Sequence, residues 1–172
     1  MEIDAESNIR REAQGGILRM NREYPSRPIP AVGGLAVRDG KVLLVKRAKE
    51  PALGTWSIPG GAIRLGESLK DAVRRELKEE TGLDVDPVEV VGVVERIFKV
   101  GEEVRFHYVI VDYACTVREG ILRASSDAQD ARWFHWEEIL DLDLPEDSLG
   151  IIARALEKIE RRPPQKRPFS QG

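Results

Sequence analysis

Only one cysteine, Cys115, occurs in the 172 residues, so no disulfide can close within the chain. Cysteine use therefore gives no sign of an oxidising compartment. No apolar run approaches the ~18 residues of a membrane-spanning helix, and Met1–Arg10 is acidic and polar, without the apolar core of a signal peptide. The expected location is the cytoplasm, with no membrane partner. Positive charge is not in excess either. There are 27 Lys and Arg against 30 Asp and Glu, a net charge of −3, and the pI is near 5.6. A nucleic-acid binder would carry a basic face and a much higher pI, so no nucleic-acid partner is expected. A slightly acidic protein that handles an anionic substrate needs local help, from a metal ion or from a few placed Arg and Lys residues.

What is present reads as one globular domain with appendages, mixing helix and strand in the α/β or α+β class. Ile3, Ile9, Ala13, Ile17 and Leu18 fall loosely on one face of a helix within Ala5–Arg22. The prolines of Tyr24–Pro30 end it. Residues 1–30 are thus expected to form a helical arm and stiff linker, able to dock on their own domain or on a second subunit. The domain is expected over residues 31–162, and 163–172 is expected to be a disordered tail. Ala31–Val37 and Lys41–Arg47, joined at Asp39-Gly40, read as a β-hairpin. Lys49–Gly61 is a Gly- and Pro-rich loop. Ser68–Glu80 is helical, with Gly82 at the C-cap position. Val88–Phe98, Arg105–Val117 and Ala131–Phe134 read as strands. Trp136–Leu140 reads as a short helix and Pro145–Arg162 as a longer one, with Leu149, Ile152, Ala153, Leu156 and Ile159 on one face.

The helix at Ser68–Glu80 has an unusual wheel. At about 100° per residue, Lys70, Asp71, Arg74, Arg75 and Lys78 cover a solvated arc, and Leu69, Ala72, Val73 and Leu77 the core-facing arc. Glu76 and Glu80 fall inside the apolar arc and Glu79 lies at its edge. Carboxylates three and four residues apart repel, and burying one unpaired is costly. A divalent cation compensates such a cluster directly, and hard oxygen ligands favour Mg²⁺ or Mn²⁺. Arg75, one turn before Glu79, could orient a carboxylate by a charge-assisted hydrogen bond. In the preceding loop, Gly60 and Gly61 allow backbone to approach a ligand closely. Glu67 has two readings: an acid favoured by the helix dipole, or a further member of the cluster.

The motif Gly61-x5-Glu67-x7-Arg75-Glu76-Leu77-Lys78-Glu79-Glu80-Thr81-Gly82-Leu83 resembles the complete Nudix box. The flanks Gly33-Gly34, Val42–Arg47, Gly54-Thr55-Trp56, Pro59-Gly60-Gly61 and Ala131-Arg132-Trp133-Phe134 agree, so the resemblance runs over about Ala31–Leu140. It implies a Nudix fold, a mixed sheet sandwiched between helices, and metal-dependent hydrolysis of a nucleoside diphosphate joined to another moiety. It implies metal ligation by Glu76, Glu79 and Glu80, with the Gly60 carbonyl as a further ligand and Mg²⁺ or Mn²⁺ as the ion. Arg75, Glu76 and Glu79 become the catalytic residues. Gly61, Glu67 and Gly82 take structural roles in the box.

A carboxylate must take the proton of the attacking water. Glu76 is one candidate, and Glu119, Asp127 and Asp130 outside the box are others. Arg47 and Arg64, with Arg105, are candidate phosphate contacts. Phe106 is the chosen stacking ring among Trp56, Phe98, Phe106 and Tyr108. His107 and His135 read as structural, and Cys115 as a buried small hydrophobe. The pattern of Arg105–Tyr113 and Asp127–Phe134 looks like ADP-ribose pyrophosphatase-like proteins, so the expected partner is a small nucleotide such as ADP-ribose. The proline that often marks ADP-ribose hydrolases downstream of the box is absent, with Ile97 and Phe98 in that region. Two other readings stand beside this one: a (d)NTP or oxidised-NTP pyrophosphohydrolase, and a non-catalytic nucleotide sensor. A homodimer is the expected assembly.

Overall fold

Asp39 and Gly40 both have positive φ, 51° and 71°, as a two-residue type I′ loop requires. They turn β1 (Ile29–Arg38) into β2 (Lys41–Arg47), with Val37 opposite Val42 and Arg38 opposite Lys41. Beyond that pair the two strands separate. β4 (Gly60–Ala62) takes the edge of β1 at Ala31–Gly33, and β3 (Trp56–Ser57) takes the edge of β2 at Val45 and Lys46. The Gly60-Gly61 turn is thereby held beside the middle of the sheet. The structure, a computed structural model, describes residues 22–125 and 128–161. The expected arm helix within Ala5–Arg22 falls almost wholly outside them, as does the expected tail.

The remaining elements are α1 (Leu69–Thr81), β5 (Leu83–Val100), β6 (Glu103–Gly120), β7 (Ala128–Phe134), α2 (Trp136–Leu140) and α3 (Glu146–Glu160). The sheet runs β3-β2-β1-β6-β5, with β4 also on β1 and β7 also on β2. β1 and β6 are parallel; the other pairings are antiparallel. This is the mixed sheet between helices that was expected. β1 starts two residues earlier than expected and takes in Pro30. The long strands also exceed the expected spans, because register shifts near Pro87 and Gly92 absorb the residues that break a strand pattern.

Each face of the sheet carries its own core. Ala72, Val73 and Leu77 of α1 pack on Val32, Ala36, Leu43, Leu83 and Cys115. On the other face, Ile151, Ile152, Ala155 and Leu156 of α3 pack on Leu35, Val37, Leu44 and Ala114. Two side chains leave their expected places. Leu69 is 37% exposed, because α1 starts at the sheet margin. Ala153 faces outward, and Ile151 replaces it in the core. Arg154 Nε donates to the Val91 carbonyl at 2.7 Å, and Ile151 lies where a Cβ on Gly92 would fall, which sets the rotation of α3.

Asp112 of β6 is buried among apolar groups, its carboxylate lying over Gly33. Burial pushes its pKa up to about 7; Arg96 opposes the shift and Asp147 adds to it. A folded-state pKa above the ordinary carboxylate value means that the folded form holds its proton longer than the unfolded chain does. The contribution of Asp112 to stability is then greatest at low pH and falls as pH rises from about 4 to about 7, by up to about 1.4 kcal/mol per unit. Asp112→Asn is expected to flatten this slope, read from urea unfolding at a series of pH values. An unchanged slope would assign the pH dependence elsewhere. Leu77→Ala, in the α1 core, is expected to lose about 2–5 kcal/mol in the same assay.

Candidate active site

The site begins with the way α1 starts. Ser68 is the N-cap, its Oγ accepting the Asp71 N–H at 3.2 Å. Gly82 ends the helix at φ 74°, its N–H donating to the Lys78 carbonyl at 3.0 Å. These caps place Glu67 just before the helix and Arg75 two turns inside it, facing back along it. Arg75 donates from Nε to Glu67 Oε1 at 2.6 Å and from Nη2 to Glu67 Oε2 at 2.8 Å, a bidentate pair. The same guanidinium reaches the Ala62 carbonyl at 3.2 Å, Glu76 at 2.5 Å and Glu79 at 3.5 Å. Its side chain is 15% exposed; the expected solvated position is corrected, because the returning loop covers it.

Glu67 therefore serves as the partner of Arg75 and closes the loop onto α1. It also accepts the Arg64 N–H at 3.0 Å. The Arg75 hydrogen bond is the largest cause holding its carboxyl down at about 2, and the Glu67 contact in turn raises the Arg75 pKa. Gly61 is needed for space, since a Cβ there would lie 2.6 Å from the Glu76 carboxyl carbon. The Gly60 N–H donates to Glu80 Oε2 at 3.0 Å, and Arg64 Nη2 donates to Glu79 Oε1 at 3.2 Å. One patch thus gathers Gly60, Gly61, Arg64, Glu67, Arg75, Glu76, Glu79 and Glu80.

In this patch Glu67, Glu76 and Glu79 share Arg75, with Arg64 on Glu79. These three carboxylates against two guanidiniums leave negative charge over, before Glu80 on the Gly60 N–H is counted. Glu76 is buried at 9% exposure, where an excess of that sign is expensive. The donors are all hard oxygens, which fits Mg²⁺ or Mn²⁺ chemically. Among the described residues no three acid, His or Cys groups are drawn together around one point; Glu76 and Glu79 turn to Arg75, and Glu80 to the Gly60 N–H.

Other sequence candidates lie elsewhere. Arg47 Nε is bound to the Pro51 carbonyl at 2.7 Å and shapes the loop after β2. Phe106 is 3% exposed, edge-on to Phe98, stacked with Tyr108 and under the Arg105 guanidinium, so stacking on a substrate would require these covers to move. Tyr108 lies within electrostatic reach of Arg47. His107 pairs with Glu95 at 2.9 Å, and the His135 N–H donates to Glu138 at 2.7 Å at the start of α2; both roles are structural, as expected. Burial pushes the Cys115 thiol up to about 12, in keeping with an inert core residue.

The candidate bases separate too. Asp130 is tied to Arg132, which lowers its pKa and makes it a weak proton acceptor. Glu119 faces Asp84 at the far end of β5 and β6. Asp127 lies outside the described residues, but the segment before it is fastened to the end of α1: Arg123 N–H donates to the Thr81 carbonyl at 3.0 Å and Ser125 N–H to the Glu80 carbonyl at 3.2 Å. Sequence reading overlooked Asp112 and the Arg96–Asp147 clamp. An acid inside the apolar run Val109–Cys115 was the available signal for the first.

A mixed sheet flanked by helices, with a loop–helix unit that presents clustered carboxylates beside paired glycines, defines a class of phosphoanhydride-handling folds. A family model described as NUDIX domain matches residues 27–155, and the chain belongs to the Nudix family. It is similar to an ADP-ribose pyrophosphatase of Methanocaldococcus jannaschii, 36% identical over 107 residues, 62% of each chain. It is 34% identical over 98 residues to mouse 8-oxo-dGDP phosphatase NUDT18, covering 55% of this chain and 28% of that one. In structure it resembles the NUDIX domain of Shewanella oneidensis NrtR complexed with ADP ribose, at 26% identity and TM-score 0.61, covering 78% of this chain and 90% of that one. The chain thus spans less than two thirds of the two curated relatives.

Replacement of Arg75 by Gln is expected to return the Glu67 pKa upward towards the ordinary carboxylate range, followed by NMR titration of the Glu67 side chain. In the native chain this pair adds stability above pH ~4.5 that is lost as pH falls towards ~2; the variant should lose that acid-side dependence. A Glu67 pKa unmoved by the substitution would sink the pairing.

Proposed function

We propose that the protein is a metal-dependent pyrophosphohydrolase that cleaves the pyrophosphate bond of a nucleoside diphosphate derivative, with ADP-ribose or a related nucleotide sugar as substrate. The observation that carries the reaction class is the carboxylate patch on α1, held by Arg75 and Glu67 against the Gly60-Gly61 turn. Glu76, Glu79, Glu80 and the Gly60 carbonyl would hold Mg²⁺ or Mn²⁺, which would supply charge neutralisation at the pyrophosphate and a more acidic water. Arg75 keeps Glu76 and Glu79 from splaying apart. Arg64, on the exposed side of the patch with its side chain 64% exposed, contacts phosphate. Glu76 or Asp127 takes the proton of the water.

The ADP-ribose assignment rests on the M. jannaschii relative and the NrtR structure. The NUDT18 relative favours a second reading, hydrolysis of an oxidised nucleotide. Arg47 and the Phe106–Tyr108 pair would serve the nucleoside side in either case only if Arg47 left the Pro51 carbonyl and the cover over Phe106 moved. A cytoplasmic location accords with the single buried cysteine, and among the described residues no helix is long and apolar enough to cross a membrane.

Purified protein with Mg²⁺ is expected to convert ADP-ribose to AMP and ribose 5-phosphate, identified by chromatography, and to stop when the metal is chelated. Preference for a triphosphate with release of pyrophosphate would overturn the substrate but keep the chemistry. Tight nucleotide binding without turnover would make the protein a sensor. Glu79→Gln or Glu80→Gln should lower kcat by roughly 100-fold or more with little change in unfolding, because each removes ligand charge and not packing. Native rates in both variants would defeat the metal-site assignment.

A further inference from the structure

β5 is the last strand of the sheet, and among the described residues no strand pairs with its outer edge. Such an edge invites pairing unless it is short, bulged or guarded. The N-terminal part is guarded: Arg154 takes the Val91 carbonyl and Lys158 takes Glu89. From Val93 to Val100 the guard is lighter: Arg96 reaches Asp147 and Ser148 of α3, and Glu95 and Lys99 leave one charge of each sign on the edge. Val93, Ile97 and Val100 are 62%, 45% and 55% exposed, and the stretch contains no proline. It is also regular. The register shift at Phe98/Lys99 places the extra residue, Arg105, in β6, while β5 itself pairs residue for residue from Gly92 to Phe98.

We propose that this edge is an interface with a second copy of the chain, antiparallel about a two-fold axis at Ile97. An isologous contact sets residue i against j and j against i, and the axis perpendicular to the sheet keeps the two faces aligned. Centring on Ile97 sets Glu95 opposite Lys99 of the second copy, Val94 opposite Val100, Arg96 opposite Phe98, and Ile97 against itself. Centring on Glu95, Arg96 or Lys99 would set a like charge against itself, which is destabilising. Centring on Phe98 would leave Glu95 facing Gly101 and Lys99 facing Ile97. Centring on Val94 would set Lys99 opposite Glu89, which Lys158 already holds; the Ile97 register sets opposite charges together without displacing that pair.

Within one chain Glu95 and Lys99 are about 13 Å apart along the strand at ~3.3 Å per residue, too far to pair. Glu95 bonds His107 at the neighbouring position, and Lys99 has no ion-pair partner among the described residues. The ladder is short, so the dimer is concentration-dependent and not obligate. The interface lies on the far side of β6 from the carboxylate patch, and hydrolysis is therefore independent of it.

Sedimentation equilibrium of the full chain over roughly 1–500 µM tests the inference. The native protein is expected to dimerise, and Glu95→Lys and Lys99→Glu should each weaken the dimer at least tenfold. The double reversal should restore it to within threefold of native. That restoration is the decisive outcome, because the two residues can meet only between copies. His107→Asn, which removes the contact of Glu95 within its own chain, should leave the dimer intact. Thermal unfolding and nucleotide hydrolysis, unchanged in all variants, would show that the fold survives. A native monomer across the range, single reversals without effect, or a double reversal as weak as the singles would each overturn the inference. Failure of hydrolysis in the native protein would count against the proposed function and leave this interface standing.

Discussion

Glu67 and Arg75 stand eight residues apart in the chain and meet as a bidentate ion pair. That contact decides the shape of everything around it. It folds the loop after β4 back over the first turns of α1, and so covers the guanidinium that would otherwise lie in water. Once covered, Arg75 has hydrogen bonds left for Glu76, Glu79 and the Ala62 carbonyl. A lysine could not make this set, because the fork of the guanidinium supplies several donors in fixed directions. The pair is partly buried, so its value lies less in net stability than in the penalty for losing one partner. A loop that opened would leave a charge uncompensated in a low-dielectric setting.

The acids of α1 stand on one helix whose packing on the sheet fixes where they lie, each turned to its own partner. Leu77, Val73 and Ala72 fasten one face of α1 to the sheet, which fixes the opposite edge of the helix against the Gly60-Gly61 turn. The turn is fixed independently by the pairing of β4 with β1. The acids are therefore placed by two rigid elements and not by a mobile loop, as a preorganised site requires.

The two faces of the sheet treat acids differently. On the α1 face Glu67 is stabilised as an anion. On the α3 face the apolar surroundings of Asp112 push its pKa up to about 7. The same side-chain chemistry is pushed in opposite directions, in one case by a cation and in the other by desolvation. The long β5–β6 ribbon connects these environments and then runs past both cores. Its far end leaves Val93, Ile97 and Val100 exposed.

The helix α1, its caps, the β1–β2 hairpin and the placing of Glu76, Glu79 and Glu80 on α1 were legible in the sequence. Each depends on near neighbours: a serine that caps, an Asp-Gly pair that tolerates positive φ, acids three and four residues apart. The Nudix pattern is likewise local. Only the tertiary structure settled what depends on distant partners. It chose between the two readings of Glu67 by bringing Arg75 across the loop, and it covered Phe106 with Phe98, Tyr108 and Arg105. It rotated α3 so that Ile151 entered the core in place of Ala153, because Gly92 leaves room there. It also turned an aspartate in an apolar run into a buried acid. Periodicity reports which face a residue is on, whereas the partner that waits on that face is a property of the folded chain.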